Sequence, residues 1–460
     1  MLALLGRIKS KWQNTKAPCR WDWAVFAIVF LLSYLLFYHY YDLITITGWS
    51  VSFIDLLIRG QMLEFHDIVL NANYHELIMF VYGLMLVPLR VIVWIFGVSE
   101  IPFLTWVMYG KFIISLWIAV AAYLLYKLAL EIGISKDNGK WVVFLFLTSP
   151  ALLFGTVLFG QIDIFAIVFS LWSLMFFARK QYWKFTLIMI PAICFKVFPL
   201  FIFVPLILLV EKRLYKIVLH ILCVLSGLFI SPLLYGSSAG FRATQQFIAE
   251  EYGFIGRFYH NSFFGHDISV FIMCFIMVCF ICYVVKFDDR KTGVYIAGIP
   301  TVVYGLFFLF YPTHPQWFAI ITPYLALLVL LFKNKKPVIL VDGLFLTGVI
   351  FHNVFYSPMH TDNYMVNHGI LPAITGRTYM ERTIHFHLNA LYHDINKLVM
   401  TLLITGLLIL IALAGYKLLK KETQFPLEES FTLERGLIWL RPAILLICYM
   451  IPTLVLYISS

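Results

Sequence analysis

Residues 23–42 read WAVFAIVFLLSYLLFYHYYD: an apolar run without Asp, Glu, Lys or Arg from Trp23 to Tyr41, closed by the carboxylate of Asp42. A helix needs about 20 mostly apolar residues to cross the hydrocarbon core of a bilayer, and this run is that long. The segment before it carries Arg7, Lys9, Lys11, Lys16 and Arg20. Basic flanks stay on the cytoplasmic side, so the run is expected to leave the cytoplasm and to deliver Asp42 to the outer mouth of a first span. No small-residue cleavage site follows, which predicts a retained signal anchor. A carboxylate held at the edge of lipid is costly, and it is a functional candidate by default.

Working outward, runs of this kind recur to the end of the 460 residues, which are 62% hydrophobic with a mean hydropathy of +0.89. That excludes an ordinary soluble domain. Short alternating segments of a transmembrane barrel are missing, so the expected class is all-α, a polytopic membrane helix bundle. The net charge of +10 is an orientation signal and not a nucleic-acid signal, because the basic residues sit in short clusters between apolar runs. The seven cysteines, six of them inside apolar runs, show neither a disulfide framework nor zinc spacing.

The clusters set the threading. They are the N-terminus, Lys127/Lys136/Lys140, Arg179/Lys180/Lys184, Lys212/Arg213/Lys216, Lys286/Arg290/Lys291, Lys333/Lys335/Lys336 and Lys417/Lys420/Lys421/Arg435. Counting both Leu77–Val98 and Phe103–Tyr126 as spans would put every later cluster outside. Leu77–Val98 is therefore expected to lie in, or re-enter, the outer leaflet. Thirteen crossings follow, at 22–41, 103–126, 141–159, 163–178, 183–195, 198–210, 217–235, 268–285, 293–311, 317–332, 337–355, 397–416 and 437–457. Residues 1–235 are read as one transmembrane module with outer loop 42–102. Residues 236–460 are read as further helices with outer loops 236–267 and 356–396. All His but His220 fall on the outer side, as do Lys111, Lys196, Arg242 and Arg257. The chemistry is expected outside.

Four short motifs occur in order: Asp42 after the first run, Gly-Gln-Ile-Asp at 160–163, Phe-Lys-Val-Phe-Pro at 195–199 and His-Pro-Gln-Trp at 314–317. Each has a plain structural reading. Asp163 suits a helix N-cap, Lys196 suits snorkelling to the interface, and His314 with Gln316 and Trp317 suits an interfacial helix start. The stretch Thr148-Ser149-Pro150 followed by Phe154-Gly155-Thr156 predicts a distorted backbone before Gln161. Glu64, His66, Asp67, His75 and Glu76 would permit a metal, although none is expected.

The ordered motifs make residues 20–335 resemble the integral-membrane GT-C glycosyltransferases, in particular the polyprenyl-phosphate-mannose-dependent mannosyltransferases. The resemblance implies a GT-C-like bundle whose large first outer loop carries membrane-associated helices. It also implies inverting transfer of a hexose from a polyprenyl-phosphate donor to an acceptor hydroxyl on the extracytoplasmic face. Asp42 matches the family's first-loop acidic residue, its usual base. Tyr41 and Leu43 flank it where a paired acidic motif is commoner, which leaves Asp163, Asp55 and Asp67 as alternatives.

Such transfer needs a carboxylate to take the hydroxyl proton and a cation to neutralise the departing phosphate. On that basis Asp42 is the expected base, and Gln161, Asp163, Lys196, Arg242, Arg257, His314 and Gln316 are expected to bind substrates. No cofactor is expected. The partners are the lipid-linked donor, a glycan, lipid or protein acceptor, and membrane lipids. The location is expected to be a bacterial plasma membrane. Two other classes stay open: a lipid-linked oligosaccharide flippase or transporter, and a polysaccharide polymerase, ligase or membrane acyltransferase.

Overall fold

The computed structural model describes residues 17–37, 41–97, 101–252, 260–263, 266–311, 313–355, 366, 370–377, 383–391, 394–420 and 435–459. Among them the chain is helical throughout, except for one antiparallel pair, His260–Phe263 with His266–Ser269. Seven helices are long and apolar enough to cross a membrane alone: Glu76–Ile95, Phe103–Glu131, Leu214–Tyr235, Asp289–Phe310, Lys336–Phe355, Ile395–Leu419 and Gly436–Ser459. A bent pair, Lys136–Leu147 with Pro150–Leu158, makes an eighth. The chain is a multi-pass helical membrane protein. Length and composition support fewer crossings than the thirteen expected, because Asp163–Ala178, Tyr182–Phe195, Pro199–Val210, Val270–Val284 and Pro315–Leu330 are short apolar helices. Prolines open or interrupt several of them, as at Pro199 and Pro191.

The first run does not form one helix up to Asp42. The helix Arg20–Leu35 ends early, and a second begins at Tyr41 and runs to Ile58. The reason lies far along the chain. The buried Lys111 ammonium donates to the carbonyls of Ser33, Tyr34 and Phe37 at 3.2, 2.9 and 2.7 Å, satisfying acceptors that the end of a helix leaves open. Lys111, expected among outer-side charges, thus serves as a helix cap. Asp42 moves accordingly, from the end of one helix to the first turn of the next.

Leu77–Val98, expected to lie in or re-enter the outer leaflet, falls in a helix that is long and apolar enough to cross a membrane alone. It forms an uninterrupted helix, Glu76–Ile95, with Pro88 inside it. This helix packs on Tyr41–Ile58 at close range: a Cβ on Gly83 would lie 2.8 Å from the Ser50 carbonyl. The segment 42–102, expected to carry helices, is largely the pair Tyr41–Ile58 and Glu76–Ile95.

Among the described residues, the clusters around Arg179, Lys212 and Lys291, expected to be cytoplasmic, meet at one end of the bundle. Arg179 meets Glu131 at 2.9 Å and Lys180 meets Asp289 at 2.7 Å. Lys212 Nζ donates to the carbonyls of Leu208, Cys282, Tyr283 and Val285 at 2.6–3.0 Å, capping two helices at once. Helices leaving this end carry Asp163, Lys196 and Trp317 to the other. One apolar core runs through both expected parts of the chain, from Val29 through Phe154 and Tyr304 to Tyr457.

Candidate functional site

Three local devices bring the site together. First, the backbone distortion expected before Gln161 is present: the pair Lys136–Leu147 and Pro150–Leu158 bends by 47°, and Leu153–Leu158 is π-helical. A π turn widens the helix and is frequent at functional sites. Gly155 sits in it, where a Cβ would lie 2.7 Å from the Gln316 carbonyl. Second, Gly160 has φ +77°, a left-handed conformation that a side chain would strain. A Cβ there would also come within 2.9 Å of Leu43 Cβ. The loop can thus press onto Leu43, and Gln161 Nε2 donates to Asp42 Oδ2.

Third, the helix Tyr182–Phe195 stops at Lys196, whose backbone is extended (φ −158°, ψ 134°), and Pro199 opens the next helix. Lys196 is held at this elbow. Its Nζ lies 3.2 Å from Asp163 Oδ1 and 5.1–5.5 Å from the ring centres of Trp317, Tyr74 and Phe198. Aromatic faces attract a cation, more so where water is scarce. Asp163 is the first residue of Asp163–Ala178 and is buried, with neither carboxylate oxygen accepting a hydrogen bond among the described residues. The N-cap reading therefore does not hold; Ile162 is the cap residue.

Asp42, Gln161, Asp163 and Lys196 form one cluster. Removal from water raises the Asp42 pKa, Lys196 pulls it back, Asp163 pushes it up and the Gln161 amide lowers it, leaving it at about 6. The carboxyl is half-buried. A carboxylate balanced near neutrality can take a proton and give it up again.

The remaining candidates separate. The ring of His314 sits 4.8 Å from that of Trp317, at the rim of the Lys196 cage. Gln316 is buried beneath it, and its Oε1 has no hydrogen-bond partner among the described residues. Arg242 is not brought to the cluster. It is exposed and donates to the carbonyls of Gly236 and Ser237 at 3.2 and 3.1 Å. Arg257 lies outside the described residues. Asp55 is held by Arg90 at 2.6 Å. Asp67 accepts from Ser238 Oγ and the Gly240 amide, which hold its pKa down.

The set that would permit a metal makes a latch instead. His66 Nε2 meets Glu76 Oε1 at 2.7 Å, Ser231 Oγ donates to Glu76 Oε2, and His75 Nε2 meets the Gly227 carbonyl at 3.1 Å. Among the described residues no group of three or more His, Cys, Asp or Glu is arranged to hold a metal ion. The latch fastens the segment before Glu76–Ile95 to Leu214–Tyr235 and so fixes Tyr74 beneath Lys196. Sequence reasoning missed Tyr74. Phe198 and Trp317 lay inside quoted motifs, but Tyr74 stands in a polar stretch with no periodic signal. No protein-family model, curated protein or solved structure matches this chain.

Proposed function

We propose that this chain is a membrane-embedded glycosyltransferase that uses a polyprenyl-phosphate-linked hexose as donor. The observation that supports this reading is the convergence of a half-buried carboxylate near neutrality, Asp42, with a caged ammonium, Lys196, at the end of the bundle away from the basic clusters. In the proposed step the acceptor hydroxyl oxygen attacks the anomeric carbon from the face opposite the phosphate. The new C–O bond forms as the bond to the phosphate oxygen breaks, with inversion. The hydroxyl proton passes to Asp42, and polyprenyl phosphate leaves as an anion beside Lys196.

The residues divide the work in physical terms. Gln161 fixes the Asp42 carboxylate through one oxygen and leaves the other for the acceptor. Lys196 supplies charge stabilisation where negative charge develops, inside walls of Trp317, Tyr74 and Phe198 that limit screening by water. His314 and Gln316 add polar groups at the rim. Donor phosphate and Asp163 compete for one ammonium, so the site holds its cation in place between turnovers.

The test is incubation of purified protein with a panel of polyprenyl-phosphate hexoses, scoring release of polyprenyl phosphate. Consumption of at least one donor, lost in Asp42→Asn, is the expected result. A panel left untouched, or carrier movement across proteoliposomes without sugar transfer, would replace this reading with the transporter class.

A further inference from the structure

Beside the caged ammonium two aromatic rings meet at an angle. The Trp49 ring lies 6.3 Å from that of Tyr74 and is tilted 55° to it, so the pair forms a corner and not a stack. Tyr74 links the corner to the site, with its ring centre 5.5 Å from Lys196 Nζ. Trp49 links it to the carboxylate, because it follows Asp42 by seven residues on the helix Tyr41–Ile58. That spacing is two turns, so both side chains leave the same face, about 10.5 Å apart along the axis at 1.5 Å per residue. Base, indole, phenol and ammonium thus frame one side of the cluster.

Trp49 differs from the other tryptophans. Trp21, Trp94 and Trp183 are 49–80% exposed, as tryptophans at a lipid interface are, and Trp141 is sealed in the core. Trp49 is half-buried, at the edge of a small second core of Phe53, Phe65, Tyr235 and Phe241. Tyr74 packs on both that core and the main one, so the corner sits where the two meet. The indole N–H of Trp49 donates to no group among the described residues. A part-covered ring with an unused donor suits a ligand that is apolar on one face and carries hydroxyls at its rim.

We infer that Trp49 and Tyr74 form the sugar subsite, receiving the C–H face of the donor hexose while Lys196 holds its phosphate. The inference rests on the transferase reading. A pyranose has polarised C–H bonds on its ring faces and hydroxyls around its rim. The negative face of an aromatic ring attracts the first, and the indole N–H donates to the second. Connectivity sets the position: the sugar is bonded to the phosphate, and Tyr74 is in contact with both Lys196 and Trp49. The charges narrow the class. Asp42 and Asp163 already share one ammonium, which the phosphate would take, so a sugar bearing its own carboxylate is opposed. The subsite fits a hexose without a carboxylate.

The experiment measures binding to the full chain in detergent, beside turnover. The probes are polyprenyl phosphates carrying glucose, galactose, mannose or glucuronate, with sugar-free polyprenyl phosphate as reference. The parent should bind at least one neutral-hexose lipid more tightly than the bare one, and the glucuronate lipid less tightly than that one. Trp49→Ala should weaken the preferred lipid about tenfold, the order of one aromatic contact, and leave the bare lipid within about twofold. Trp49→Phe should recover most of the loss. Fluorinated tryptophans at position 49 keep the shape and drain the negative face, so sugar binding should weaken step by step. These last two carry the test if Trp49→Ala fails to fold. A purely structural Trp49 would move both lipids together and ignore fluorine, and either result overturns the inference. So does a parent with no preference for any sugar-bearing lipid. Glucuronate bound as tightly as the preferred hexose overturns the assignment of class. A Trp49-dependent preference without transfer from any donor sinks the transferase reading and keeps the subsite. Transfer with a preference indifferent to Trp49 sinks the subsite alone.

Discussion

Among the described residues, two lysine– or arginine–carboxylate pairs are buried, and they differ in what else surrounds the charge. Arg441 and Asp342 are both about 1% exposed, with Arg441 Nε 2.8 Å from Asp342 Oδ2 and Nη1 donating to the Leu145 carbonyl, next to the bend at Pro150. One cation meets one anion and one spare carbonyl. Lys196 and Asp163 are 3.2 Å apart, the lysine side chain is 14% exposed, and a second carboxylate, Asp42, stands close enough to feel both charges. Two anions share one ammonium inside an aromatic wall. The balanced, sealed pair pins the C-terminal helix to Lys136–Leu147 and Lys336–Phe355. The unbalanced, part-open one has capacity for a ligand. Burial of charge alone does not separate structure from site; charge balance and access do.

That contrast breaks most sharply at Asp42. Asp42→Asn should lower transfer by roughly a hundred- to ten-thousandfold, the order expected for loss of a general base, with the protein still folded. The stability change has the opposite sign. The folded pKa, about 6, lies above the ordinary value of 3.8, so the folded state binds the proton more tightly. This favours folding below pH 4 and is lost as pH rises through 6. At neutral pH ionised Asp42 therefore costs on the order of 2 kcal/mol, allowing for its partial exposure. Thermal unfolding in detergent should show Asp42→Asn more stable than the parent at pH 7.5, with the gap closing below pH 4. Near-normal turnover by this variant would take Asp42 out of the mechanism.

At the sealed pair the expected losses are of stability and not of chemistry. Arg441→Leu leaves Asp342 buried without its cation and should destabilise by about 3–5 kcal/mol. Adding Asp342→Leu should recover most of that, since removing both charges of a buried pair is close to neutral. A double variant as unstable as the single one would show that the Leu145 contact matters more than the charge. Lys196→Ala should add a loss of chemistry to a loss of stability: kcat/KM for the donor down by about a hundredfold, partial rescue by Arg, and a lower unfolding temperature, because Asp163 is left buried without its cation.

The smallest effect sharpens the comparison most. If Asp163 restrains Lys196, Asp163→Asn should lower the donor KM by about fivefold, roughly 1 kcal/mol, because the phosphate no longer competes for the ammonium. A raised KM would mean that Asp163 orients Lys196 more than it restrains it.

Much of the fold was legible because it is written locally. Apolar runs of bilayer length, basic clusters between them and prolines at helix starts gave an all-α membrane bundle. The motifs at 160–163 and 195–199 pointed to Gln161, Asp163 and Lys196, and the structure gathers all three; the motif at 314–317 pointed to His314 and Gln316, whereas Trp317 is the residue that walls Lys196. Arg242 misled because an exposed arginine near a polar loop looks the same whether it waits for phosphate or, as here, caps its own turn. The start of the helix carrying Asp42 could not be read, because nothing in residues 23–42 announces that Lys111 will take the carbonyls of Ser33, Tyr34 and Phe37.

By itself, then, the sequence determined the solvent this protein lives in and the short segments from which Gln161, Asp163 and Lys196 come. Hydropathy and charge act residue by residue or over one helical turn, so they survive being read in a line. Tertiary structure alone decided which carboxylate is balanced and which is left over, and that Tyr74 closes the Lys196 cage. Those are sums over neighbours drawn from distant parts of the chain, and their electrostatics and free volume exist only once the helices have packed.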